Sequence, residues 1–280
     1  RELFALMRGH PHEFPGALAA RPEAAAGPMV SVVVCSVDPA RFDAASRSFA
    51  RALGGWQHEI VGIHDAKSLA EAYNRALRAC RGDIVVFSHD DVEVLSPDLG
   101  GALARAFEQA DVVGVIGTEK LAGPAWGWAG REPARGRILQ PASQGGGMDL
   151  LVFGAPCAVA GGLEALDGVF LAVRREQALA LAFDEATYDG FHLYDVDFTY
   201  RAARQGLRVA VTPEILLRHD SLGSFDEGWS AYARKFVARF PALAGPSKPD
   251  FVPQGLGFAT GDEAAAFCAR LDALCREVSP

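Results

Sequence analysis

Residues 82–94 read GDIVVFSHDDVEV, and this stretch decides the fold. Ile84 to Phe87 form a continuous apolar run with no polar alternation, the pattern of a β-strand buried on both faces. Strands of that kind belong to parallel sheets covered by helices on either side. The run stops abruptly at Ser88-His89-Asp90-Asp91. In open α/β sheets, ligands bind in the crevice at the carboxyl ends of the strands, so the acidic stop is the first candidate site.

The flanking segments repeat the theme. Upstream, MVSVVVCSV (29–37) is a second β-branched run, which Asp38-Pro39 ends while opening a helix around Phe42 to Leu53 that stops at Gly54-Gly55. HEIVGIH (58–64) is a short strand, and SLAEAYNRALRAC (68–80) follows as a helix. Ser68 stands at its N-cap position with Glu71 three residues on, the spacing of a capping box. Downstream come a helix from Asp98 to Gln109 and a strand, ADVVGVIG (110–117). Strands alternating with helices in this order predict a parallel sheet with right-handed crossovers, and with it a rim that carries Asp38, Asp65 and the His89-Asp90-Asp91 group.

Residues 118–165, rich in Gly, Ala, Trp and Pro, read as hairpins or irregular excursions at the sheet edge. Regular signals return with LDGVFLAVRRE (166–176), a strand leading into a helix, and FHLYDVDFTYRAARQG (191–206), an amphipathic helix closed by Gly206. LRVAVTPEILLRHD (207–220) reads as a strand pair, and 262–278 as a terminal amphipathic helix. The expected organisation is an N-terminal linker (1–28), a main domain (29–241) and a C-terminal extension (242–280).

A net charge of −8, with 22% charged and 50% hydrophobic residues, fits a folded globular chain and gives no general attraction to nucleic acid or anionic lipid. A phosphate must then be held locally, by a metal or by backbone N–H groups. The 5 cysteines are scattered, with no CxxC pair, and suit buried thiols in a reducing compartment better than a disulfide framework. No apolar run reaches the ~18 residues of a membrane span, and RELFALMRGHPHEF lacks the pattern of a secretory leader. A cytoplasmic protein is expected.

Two adjacent carboxylates at Asp90-Asp91 repel each other, and a hard divalent cation such as Mg²⁺ or Mn²⁺ would relieve that by bridging one or two acids to substrate phosphates. An Asp pair that merely caps a turn is the plainer alternative. Asp195 and Asp197 open the 191–206 helix, where the helix dipole favours acids. Being two apart they cannot share a face, so one can pair with an arginine while the other enters the cleft as a general base. His219 ends the strand EILLR and is either a surface or hydrogen-bonded histidine or an imidazole ligand for a Mn²⁺-like ion. Asp65 is either a base-contacting acceptor or a turn residue, and Trp126 and Trp128 are either sugar platforms or edge packing. Gly145-Gly146-Gly147 lacks the spacing and lysine of a phosphate loop and reads as a flexible loop.

Taken together, SVVVCSV (31–37), HDAKSLAEAYNRAL (64–77), GDIVVFSHDDV (82–92), LDGVFLAV (166–173) and residues 191–224 resemble the bacterial-type family 2 glycosyltransferases. The match is strongest to the subgroup similar to a streptomycin-biosynthesis glycosyltransferase domain, over about Met29 to Pro241. The resemblance implies an α/β GT-A fold, with a mostly parallel central sheet flanked by helices. It also implies transfer of a sugar from a nucleotide diphosphate sugar to an acceptor hydroxyl, usually with Mn²⁺ or Mg²⁺ and often with inversion. By the same resemblance, Ser36, Val37 and Asp38 support base and ribose, Asp65 contacts the nucleobase, and Asn74 and Asp90 join the donor-binding set. Asp91 matches the second acid of the metal-binding DxD, His219 a histidine that reaches metal or diphosphate, and Asp195 the catalytic base. His89 stands where the first DxD acid belongs and Tyr194 where a glutamate precedes the base. Those departures leave a catalytically impaired sugar-nucleotide-binding protein as an alternative. A nucleotidyltransferase is a second, although CSVDPARF (35–42) is not the Gly-rich basic loop it would carry.

Overall fold

In a computed structural model, residues 27–142, 146–155, 159–221, 223, 225–244 and 255–278 are described. The strands are β1 (Val30–Cys35), β2 (His58–Ile63), β3 (Ile84–Ser88), β4 (Val92–Val94), β5 (Val112–Gly114), β6 (Ile116–Thr118), β7 (Ala134–Pro141), β8 (Met148–Phe153), β9 (Ala160–Gly161), β10 (Ala165–Leu166), β11 (Phe170–Arg174), β12 (Val209–Val211), β13 (Leu217–His219) and β14 (Gly255–Phe258). The α-helices are α1 (Pro39–Leu53), α2 (Leu69–Ala79), α3 (Leu99–Gln109), α4 (Arg175–Leu181), α5 (Tyr194–Arg204), α6 (Glu227–Arg239) and α7 (Gly261–Val278).

The main sheet runs β2-β1-β3-β11-β5-β12-β9. β1 pairs in parallel with β2 and β3, and β5 with β12, while β11 lies antiparallel between β3 and β5. Five of its seven strands run in one direction, as expected from the alternating runs; β11 and the edge strand β9, antiparallel to β12, are reversed, which the sequence pattern could not announce. Alternate residues feed two cores. Val33, Val85 and Phe87 pack with Tyr73 and Leu77 of α2 and Phe198 of α5. Val32, Val34, Ile84 and Val86 pack with Phe49 of α1 and Leu103 of α3 on the opposite face. This two-sided burial is the physical reason for the unbroken apolar strands.

The helices begin where their caps dictate. Asp38 accepts from the Ala40 and Arg41 N–H groups at the start of α1, where Pro39 lacks an N–H to satisfy. Ser68 accepts from the Glu71 N–H at the start of α2, but the reciprocal half of the expected capping box gives way to a Glu71–Arg75 ion pair at 2.9 Å.

Residues 118–165 contain the expected hairpin, but as part of a second sheet, β10-β6-β7-β13-β4, and not at the edge of the first. The central element of this second sheet is the β7–β8 hairpin, with β14 added outside β8. Positions 143–145 and 156–158 of that stretch lie outside the described residues, as do residues 1–26 of the expected linker. α7 covers the sheet through Phe267, Cys268 and Leu271 on Leu139, Leu150 and Leu216. There Asp272 grips the buried Arg137 guanidinium through two bonds of 2.8 Å. The expected strand pair at 207–220 is also divided: β12 joins the main sheet and β13 the second. Cys35, Cys80 and Cys268 are free thiols, and burial pushes Cys35 up to about 12. Cys275 is disulfide-bonded, against the expectation that all the cysteines are thiols. No helix among the described residues is long and apolar enough to cross a membrane.

Candidate active site

The stop at residues 89–91 is the place where the chain leaves one sheet for the other, since β3 belongs to the main sheet and β4 to the second. Antiparallel pairing of β4 with β13 sets Val92 opposite His219, and the Asp220 N–H donates to the Asp91 carbonyl at 2.9 Å. That register carries His219 to Asp91 across the whole intervening chain. His219 Nε2 lies 3.3 Å from Asp91 Oδ1, and His89 Nδ1 lies 3.4 Å from His219 Nε2 and 3.9 Å from Asp91 Oδ1. One ligand atom from each of these residues falls within 4.8 Å of the others. Two imidazole nitrogens and one carboxylate oxygen form a donor set that transition-metal ions of the Mn²⁺ type accept readily, whereas Mg²⁺ favours oxygen alone. The residues present therefore fit a divalent ion.

Electrostatics in the cluster follow from burial and proximity. Burial opposes ionisation of Asp91, yet the His219 hydrogen bond and the charges of His219 and His89 outweigh it and hold the carboxyl well below the usual range. Burial likewise opposes the His219 cation, and the Asp91 carboxylate overcomes it, raising that imidazole. His89 is lowered by burial and by the neighbouring His219 charge.

The cluster opens into a cleft of about 810 Å³, a size suited to a small-molecule ligand. Ser36, Val37, His89, Asp90, Asp91, Asp195 and His219 all line it. Ser36 donates to Asp90 Oδ2 at 2.6 Å, and Arg41 stands 4.0 Å from Asp90 Oδ1. Val37 is 86% exposed. Asp38 spends Oδ1 on capping α1. Asp65 is not a lining residue, although Ala66 beside it is; its carboxylate is clamped by Arg75 through bonds of 2.9 and 3.1 Å. Asn74 faces away from the cleft. Its amide oxygen accepts from the Phe183 N–H and its amide nitrogen donates to the Phe183 carbonyl and to Glu185, all within 3.0 Å. The helical spacing of α2 puts Asn74 on the face that holds the 183–185 segment.

At the far wall, α5 starts from Leu193, which has a positive φ of 64°, uncommon for a branched side chain. Its first turn sends Asp195 into the cleft and Asp197 into the protein. The Asp197 carboxylate is fully buried between Arg201 at 2.7 Å and Arg239 at 3.4 Å. Asp195 has no cationic partner among the described residues; it accepts the Gly168 N–H at 2.7 Å. Burial, followed by the charge of Asp167, pushes it up to about 7. Gly168 permits this approach: a Cβ there would stand 2.4 Å from the Tyr194 hydroxyl and 2.8 Å from Asp195 Cβ.

Two cleft residues, Asp167 and Tyr194, carry roles that sequence reasoning does not assign. Asp167 accepts from the Trp126 indole at 2.7 Å and from the Val169 N–H at 2.9 Å. Trp126 also packs edge-on against Phe153, so its indole is anchored in the wall. Tyr194 reaches His89 Nε2 at 3.2 Å. An acid-glycine pair at the mouth of the buried run LDGVFLAV was the available signal for Asp167. Nothing local could pair Tyr194 with His89. Trp128, the second tryptophan of that segment, leans on Trp229 at a centroid distance of 5.7 Å.

Residues 31–240 match the model of a family described as "Glycosyltransferase like family". No curated protein matches the sequence. Among solved structures, the chain is similar to a mannosyltransferase, PcManGT, from Pyrobaculum calidifontis in complex with GDP-Man and Mn²⁺, at 14% identity and a TM-score of 0.43, covering 96% of this chain and 80% of that one. It is similar to GalNAc-T7 with UDP, GalNAc and Mn²⁺ at 11% identity and a TM-score of 0.44, covering 88% of this chain and 55% of that one. It is also similar to A197 from STIV at 14% identity and a TM-score of 0.40, covering 69% and 85%. With the family model spanning both sheets and the cleft between them, the α/β architecture is of the GT-A class, and this chain belongs to the glycosyltransferase-like family.

Proposed function

We propose that the chain transfers a sugar from a nucleotide diphosphate sugar to an acceptor hydroxyl, with inversion, in the cleft between the two sheets. One observation carries the reading. His89, Asp91 and His219 converge on one point, and the same cleft is lined by Asp195, an acid with no cationic partner among the described residues and a pKa raised to about 7. His89, Asp91 and His219 would hold a divalent ion, Mn²⁺ by preference for the nitrogen donors. Such an ion would supply charge neutralisation for the leaving diphosphate, a contribution of several kcal/mol in metal-assisted transfers.

The remaining steps belong to the protein's own residues. Ser36 orients Asp90, and the exposed Val37 offers an apolar surface for the nucleobase at the end of β1. Asp65, already ordered by Arg75, accepts a base N–H at the mouth. Asp195 takes the proton from the acceptor hydroxyl as the oxygen attacks the anomeric carbon, and the bond to the diphosphate oxygen breaks on the opposite side. A carboxylate with a pKa near 7 is better matched to that proton transfer than an ordinary one. Fixing Asp195 by the Gly168 N–H sets the direction from which the acceptor must come.

The test is a panel of UDP, GDP and dTDP sugars, followed by calorimetric binding and by turnover with and without Mn²⁺. The expected result is Mn²⁺-dependent transfer or hydrolysis of one donor, abolished by Asp91→Ala and by Asp195→Asn. Donor binding with no turnover under any condition would turn the assignment toward a sugar-nucleotide-binding protein, and unchanged turnover in Asp91→Ala would discard it.

A further inference from the structure

We propose that Tyr194 is a positioning residue for the metal cluster, its phenol holding His89 in the tautomer whose Nδ1 lone pair faces Asp91 and His219. The inference rests on the reading of that cluster as a metal site and deepens it.

A neutral imidazole carries one proton, and which nitrogen bears it is set by the partner of the other. In His89 the two nitrogens have opposite surroundings. Nδ1 faces the cluster, at 3.4 Å from His219 Nε2 and 3.9 Å from Asp91 Oδ1. Nε2 faces away, at 3.2 Å from the Tyr194 hydroxyl. The phenol has a single proton to give and can also accept. Its oxygen lies 3.4 Å from the Gly168 carbonyl, which can only accept. With the phenolic proton directed to Gly168, the oxygen is left to accept from His89 Nε2–H, and Nδ1 is free of its proton on the side where a ligand atom is required.

The phenol is held in place. Tyr194 is 3% exposed and its ring meets Tyr73 edge-on at 5.5 Å. The absence of a side chain at Gly168 opens the space its hydroxyl fills. The same backbone unit that positions Tyr194 also fixes Asp195, because the Gly168 carbonyl receives the phenol and the Gly168 N–H binds the carboxylate. The orientation of the ligand imidazole and that of the acid are thereby tied to one peptide neighbourhood. Partners outside the ligand set that fix the ring of a ligating histidine change metal affinity by roughly 10- to 100-fold when removed.

The experiment titrates Mn²⁺ alone into the protein, with no donor sugar present, and follows binding by calorimetry or by the Mn²⁺ paramagnetic resonance signal. Tyr194→Phe, which keeps the buried ring, is expected to lower Mn²⁺ affinity at least roughly 10-fold. In a His89→Ala background the same substitution is expected to change affinity no further. On the unsubstituted protein, ¹⁵N imidazole spectra are expected to show His89 protonated at Nε2 and bare at Nδ1, which decides the matter even where Tyr194→Phe fails to fold. A Tyr194→Phe protein that binds Mn²⁺ as tightly as the parent, or a proton found on His89 Nδ1, would overturn the inference and leave the metal reading intact. A parent protein that binds no Mn²⁺ would overturn the metal reading and this inference together.

Discussion

Asp195 and Asp197 occupy the same first turn of α5, yet the tertiary structure treats them as different kinds of group. Asp197 is enclosed and matched by two guanidiniums, and one of these, Arg201, goes on to bind the Leu181 and Ala182 carbonyls. Asp195 faces a cleft, is held by a backbone N–H, and has a second acid, Asp167, as its electrostatic neighbour. A buried acid whose charge is neutralised by arginines stabilises a scaffold. Burial raises the proton affinity of both acids, but at Asp197 two arginines oppose the rise, whereas at Asp195 the charge of Asp167 adds to it. The His89-Asp91-His219 cluster extends the contrast: Arg137 and Asp272 satisfy each other through two bonds, while the cluster brings three ligand atoms to one point at the edge of the cleft.

The largest expected effect separates the two acids by rate. Asp195→Asn is expected to lower kcat roughly 10²- to 10⁴-fold, the range for loss of a general base, with donor binding retained in a calorimetric titration. A turnover number within a factor of two of the parent would remove Asp195 from the mechanism.

Next comes stability. Asp197→Ala leaves two guanidiniums beside an empty buried site and is expected to cost about 3 kcal/mol in urea unfolding, as for other buried pairs broken on one side. An unchanged denaturation midpoint, accompanied by lost turnover, would reverse the roles assigned to these acids.

The pH dependence is expected to be smaller and signed. As a base, Asp195 works deprotonated, so kcat/KM is expected to fall as pH drops below about 7 and to lose that inflection in Asp195→Asn. The folded state holds the Asp195 proton more tightly than the unfolded chain. This group therefore favours folding below the ordinary carboxylate range, and its contribution is lost as pH rises to about 7. Comparing unfolding curves of parent and Asp195→Asn across that window checks the sign.

The smallest effect is at the mouth. Asp65→Ala removes one proposed acceptor for the base and is expected to raise the donor KM roughly two- to tenfold, the range of one ordinary hydrogen bond, at unchanged kcat.

Much of this fold is legible in local pattern. The runs VSVVVC and IVVFS must be buried on both faces, and Asp38, Ser68 and Asp98 cap the helices that cover them, because capping depends only on neighbours in the chain. Direction is less legible: FLAVR in β11 is as apolar as a parallel strand and is nevertheless antiparallel to both of its neighbours. Residues 118–165 were opaque for a related reason. Their hairpin finds its place beside β13 and β14, which come from much later segments.

For the site, the sequence alone determined which groups could carry chemistry, since an acidic stop after a buried strand and acids at a helix start are written in consecutive residues. Only the tertiary structure decided which of them meet. Strand register brings His219 onto Asp91, helix rotation separates Asp195 from Asp197, and Asn74 is turned away to hold Phe183. The placement of Tyr194 behind His89 likewise comes from packing around Gly168. Such encounters depend on distances between segments far apart in the chain, and no local periodicity encodes them.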